Sequence, residues 1–81
     1  MRGITSEYKG YIGEYQYIPE DRAYHGVVCG INSVVHFTAE KEENIEKEFR
    51  ESVDVFLNFC MELGDEPEKP LINNYKAAAN Q

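Results

Sequence analysis

Six apolar residues at helical spacing, stopped abruptly, constrain this chain more than any other feature. Ile45, Phe49, Val53, Phe56, Cys60 and Leu63 follow one another at gaps of four, four, three, four and three. That spacing places side chains on one face of an α-helix. Gly64 suits a left-handed cap and Pro67 bars continuation, so the helix is expected over 40–63. Thr38 is the expected N-cap, since Lys41 stands where a capping Ser or Asp would be welcome. Glu40, Glu42 and Glu43 crowd the first turns, where the helix dipole favours negative charge. Glu43 with Lys47, and Glu46 with Arg50, have the orientation of stabilising i,i+4 pairs, each worth a few tenths of a kcal/mol.

The stripe is wider than one layer needs. Val55 and Phe59 flank it on one side, Leu57 and Met61 on the other. At about 100° per residue the second half of the helix is apolar over about 240°. Packing on one sheet uses an arc of about 100°. Val55, Leu57, Phe59 and Met61 are therefore the expected oligomer interface, with cover by a loop or by the C-terminal residues as the other reading.

Before the helix the pattern is that of strands. The span 8–18 is rich in Tyr and Ile, with Tyr11, Tyr15 and Tyr17 on one parity and Ile12, Glu14 and Ile18 on the other. Gly10 and Gly13 inside it point to a bulge or a close backbone approach. Pro19–Ala23 reads as a turn, 24–30 as a second strand, and 34–37 as a third. Short links between consecutive strands argue for an antiparallel meander. After Pro70, 71–75 reads as a short final strand and 76–81 as a tail. Residues 1–7 read as a polar lead. The expected architecture is α+β, β-β-β-α-β, in one domain over 1–81.

Composition narrows the function classes. Eighty-one residues make one domain with a thin core, which an oligomer or a partner would reinforce. Fifteen acidic residues against eight basic ones give a net charge of −7. Such a surface repels nucleic acid and suits either solubility or a basic partner. Two cysteines make no disulfide framework. No secretory leader or membrane-length apolar run is visible, so the expectation is a cytoplasmic protein with reduced thiols.

A search for chemistry returns little. His25 and His36 match no metal-ligand spacing. With Asn32 and Ser33 as the two loop residues of a hairpin, His36 would face Cys29. No third group is in place to orient such a pair, so no nucleophile is expected there. Strand interiors offer Glu14 alone as a carboxylate, too few for two-metal hydrolysis. The glycines do not form a phosphate loop. The chain is expected to be neither an enzyme nor a cofactor carrier.

A family resemblance supplies what the motif search does not. Tyr24, Gly26, Gly30-Ile31-Asn32 and Val35-His36-Phe37 resemble the HicB antitoxin family. The likeness continues through Phe49-Arg50-Glu51-Ser52-Val53-Asp54, Phe59-Cys60 and Gly64-Asp65-Glu66-Pro67-Glu68-Lys69-Pro70. Tyr8-Lys9-Gly10-Tyr11 looks like that family's opening strand. The resemblance spans most of 8–70. It implies a partial RNase H-like fold and a binding activity: masking HicA, a small basic RNA-cleaving toxin. Many members go on to a DNA-binding segment. Here eleven residues follow Pro70, with one Lys and no Arg, so operator binding is not expected. A naturally short form and a piece of a longer chain both fit that length. The toxin-facing candidates are acidic and Tyr positions on the sheet edge and first turn: Tyr11, Glu14, Tyr17, Glu20, Asp21 and Tyr24. The same tyrosines equally suit half-buried packing. The alternative to an antitoxin is an orphan module of this kind that assembles with itself.

Overall fold

The computed structural model describes residues 2–68. Four strands, β1 (Arg2–Ile4), β2 (Gly13–Ile18), β3 (Ala23–Val28) and β4 (His36–Ala39), precede a single turn of 3-10 helix at Glu42–Asn44 and the helix α1 (Ile45–Leu63). The strands form one antiparallel sheet in the order β1-β2-β3-β4. The protein is thus α+β, with an open sheet followed by one helix. The final strand expected at 71–75 lies outside the described residues.

One strand is more than the meander anticipated. Residues expected as a polar lead form β1, with Arg2, Gly3 and Ile4 opposite Gln16, Tyr15 and Glu14. Backbone pairing, not side-chain pattern, holds it. Thr5 extends the ladder, giving its N–H to the Gly13 carbonyl at 2.8 Å and accepting the Gly13 N–H on its hydroxyl at 2.9 Å. Ser6 then donates its N–H to the Glu46 carboxylate at 3.0 Å, tying this end to the helix.

The first anticipated strand begins later than 8. Residues 8–11 form a tight turn closed by reciprocal Tyr8–Tyr11 backbone bonds of 2.8 and 2.9 Å, with Lys9 and Gly10 at positive φ. A left-handed pair breaks an extended run, so the regular strand starts at Gly13. The third strand is shifted to 36–39 because the β3–β4 connection is longer than a two-residue hairpin loop. Thr38 is consequently a strand residue opposite His25, not a helix cap. The cap position of α1 is Asn44, whose side chain makes no capping bond. Gly64 ends the helix as the sequence predicts, at φ 74°, with its N–H and that of Asp65 returning to carbonyls of the last turn.

The core lies between one face of the sheet and α1. Phe49 and Val53 are its most deeply buried side chains, with Tyr11, Val28, Phe37, Ala39 and Ile45 around them. Phe37 meets Phe49 edge-on at 5.5 Å between centroids, and Tyr11 meets Phe56 at 6.1 Å. The close fit depends on missing side chains. A Cβ at Gly13 would lie 2.9 Å from carbons of both Phe37 and Phe49, and one at Gly26 would run into the Phe37 ring. Among the described residues no layer covers the opposite face of the sheet, and Ile4, Glu14, Gln16, His25, Val27, His36 and Thr38 are exposed there.

Candidate binding interface

Pairing register sorts the toxin-facing candidates onto different surfaces. Tyr17 lies opposite Tyr24, and Tyr15 opposite Gly26, so the side chains of Tyr15, Tyr17 and Tyr24 share the helix-side face. They sit at the β2–β3 end, half-buried, where the sheet runs out past the core. Tyr17 packs on Tyr24 at 5.0 Å and Tyr15 on Tyr24 at 6.1 Å, both edge-on. None of the three hydroxyls has a hydrogen-bond partner among the described residues. Partial burial raises the Tyr24 hydroxyl pKa, and the nearby Glu42 carboxylate raises it further. Glu20 and Asp21 lie exposed in the adjoining turn, which closes through Asp21 and Arg22 N–H bonds to the Ile18 and Pro19 carbonyls, with Arg22 at φ 52°. The result is a tyrosine surface with acid on its rim: apolar bodies, free hydroxyls and rings able to face a cation.

Two candidates fall elsewhere. Tyr11 is 3% exposed, a core residue whose hydroxyl donates to the Glu68 carbonyl at 2.8 Å. The turn at 8–11 swings it under α1, away from any sheet edge. Glu14 is exposed on the opposite, uncovered face, beside Cys29. Tyr15 belongs with Tyr17 and Tyr24 and was not among the candidates. Its shared parity with Tyr17 was the available signal.

The oligomer candidates divide as well. Val55 and Phe59 are 67% and 57% exposed, and together with Val34 they line a groove between β4 and α1. Leu57 is half-buried and packs against the core. Met61 is exposed, but outside that groove.

Residues of the opening turn, the helix and the helix exit hold the fold together. Tyr8 donates its hydroxyl to Asp54 at 3.0 Å, and Lys9 pairs with the same carboxylate at 2.9 Å. Lys9 and Tyr8 together lower the Asp54 pKa. Glu68, beyond the helix, reaches the β3–β4 connection. It accepts the N–H groups of Asn32 and Ser33 and the Ser33 hydroxyl, and these bonds lower its pKa. These contacts latch the opening turn and the helix exit onto the rest of the fold. They involve none of Tyr15, Tyr17 and Tyr24.

No nucleophilic or metal constellation forms among the described residues. His36 lies opposite Val27, not Cys29. Burial, and then the Glu14 carboxylate, push the Cys29 thiol up to about 11, which disfavours the reactive thiolate. Nε2 of His25 sits 3.0 Å from a carboxylate oxygen of Asp21. No group of three or more His, Cys, Asp or Glu residues converges in metal-binding geometry among the described residues. Nor is any helix there long and apolar enough to cross a membrane.

No family model, curated protein or solved structure matches the chain.

Proposed function

We propose that this chain is an antitoxin-like binding protein that neutralises a small, basic, HicA-like mRNA-cleaving toxin by covering its active surface. The observation that carries this reading is the Tyr15–Tyr17–Tyr24 surface with Glu20, Asp21 and Glu42 around it. An RNA-cleaving protein presents Lys and Arg to phosphate. A tyrosine surface rimmed with acid offers those groups rings and carboxylates in place of RNA. The net charge of −7 acts in the same sense over longer range, raising association rate more than affinity. The residue likeness to HicB proteins over 8–70 names the toxin class. A partial RNase H-like arrangement, completed by a strand at 71–75, is the fold this reading implies. That likeness brings no hydrolase activity with it, because fold does not carry function. DNA binding is not part of the proposal, and neither is a cofactor.

The test is direct. The small basic protein encoded beside this chain is mixed with RNA and with increasing amounts of the purified chain. Cleavage should cease near equimolar ratio. Glu20→Lys combined with Asp21→Lys should raise the inhibitory concentration at least tenfold and flatten its salt dependence. Undiminished cleavage with the chain in excess would overturn the reading.

A further inference from the structure

We propose that a second copy of this chain docks along the outer edge of β4, so that two β4 strands pair antiparallel and the sheet continues through the dimer. The inference rests on the groove between β4 and α1 and is independent of the toxin reading. Val28 donates its N–H to Val35 at 2.9 Å, and Val27 lies opposite His36. In an antiparallel ladder the bonded residues alternate. Phe37 and Ala39 therefore bond inward to β3, while His36 and Thr38 turn their N–H and C=O groups outward. Their spacing is self-complementary. With Phe37 on a two-fold axis, His36 of one copy meets Thr38 of the other, and each strand gives what it receives.

Charge points to the same occupant. From Ala23 to Ala39 the chain contains no Asp, Glu, Lys or Arg. Edge strands are ordinarily protected by charge, Pro or a bulge, and β4 carries none of these in His36–Ala39. The opposite edge, β1, is only three residues long and includes Arg2. In a chain of net charge −7, β4 is a seam whose strand brings no carboxylate to the pairing, and Glu48 and Glu51 lie on the groove wall beside it. Beside that seam Val34, Val55 and Phe59 are 79%, 67% and 57% exposed, and pairing covers them. A four-residue edge and three side chains fall short of the ~800 Å² per partner of a standard interface. The dimer is accordingly reversible.

Sedimentation equilibrium from about 1 μM to about 1 mM, the span of weak affinities, tests the proposal. The mean mass should rise from one chain toward two, and more readily at high salt, where the like net charges are screened. Thr38→Pro removes an outward N–H without touching the β3 ladder, and Val34→Lys charges the seam at an exposed site. Each should weaken association at least tenfold while leaving the thermal melt of the dilute chain unchanged. A mass of one chain throughout the range overturns the proposal, as does a dimer that both variants retain. A groove that takes up basic peptides, with affinity falling as salt rises, while the chain itself stays monomeric also overturns it. Glu48 and Glu51 on the groove wall would then be the binding groups.

Discussion

Gly26 shows how one absent atom sets the packing of a small core. Its Cα faces the Phe37 ring so closely that a methyl group there has nowhere to go. Phe37 in turn leans on Phe49, which is fully buried, so neither ring can yield. Gly26→Ala should therefore cost about 1–3 kcal/mol, the usual penalty for overpacking. A urea titration would register it as a lower midpoint at unchanged slope. Cys29 makes a second residue-scale prediction. With its thiol pushed up to about 11 from an ordinary value of 9.0, its thiolate fraction at neutral pH falls about 100-fold. Alkylation of native Cys29 should be slower than that of the urea-unfolded chain by a factor approaching that figure. Mapping the labelled site by mass spectrometry separates it from buried Cys60. Equal rates in the two states would contradict the burial of Cys29 and, after it, its placement beside Glu14.

At the scale of elements, the latches decide how the parts stay together. Glu68 joins the helix exit to the β3–β4 connection, and Asp54 joins α1 to the opening turn. Both carboxylates have native pKa values lowered from the ordinary ones. Each therefore stabilises the fold above its unfolded-state pKa, and that contribution disappears as pH falls through the lowered native value. The pKa of Lys9 is raised, chiefly by its bond to Asp54, so its share is present below the ordinary Lys value and is lost as pH rises through the raised one. Thermal melting should therefore fall as pH drops below about 4, the ordinary carboxylate region. Glu68→Gln should melt lower than the parent at neutral pH, and the gap should narrow in acid. A constant gap from neutral to strongly acid pH would mean that the ionised form of Glu68 contributes nothing.

How much of these elements could be read from the residues follows from what holds each one. Helix α1 was plain, since its stripe and its Gly64 stop are local signals. Strands β2 and β3 were legible as alternating runs, within a few residues at each end. Strand β1 was not, because Arg-Gly-Ile shows no period and is held by the β2 backbone. The start of the helix was misplaced onto Thr38, a residue that pairing in β4 claims first. Among site residues, Tyr17 and Tyr24 come together because their strands are in register. Tyr11 shares the parity of Tyr17 in sequence, yet the left-handed Lys9-Gly10 turn puts it in the core. Side-chain pattern records faces; it does not record a turn that changes which face a residue joins.

At the scale of the whole fold, the described residues cover only one face of the sheet. Among the described residues, a helix over one side leaves a second face, two edges and an acid-rimmed end exposed, and both proposals place a partner on that exposure. The toxin reading and the self-pairing reading use different parts of that exposure, so each survives the failure of the other. A further consequence concerns the two poles of β3. Glu20 and Asp21 stand at its beginning, and Glu68 is anchored at its end, on Asn32 and Ser33. The polypeptide thus departs from the described fold at the pole opposite its acidic turn. A change that loosens Glu68 therefore acts a strand length away from Tyr17, Tyr24 and the acidic turn.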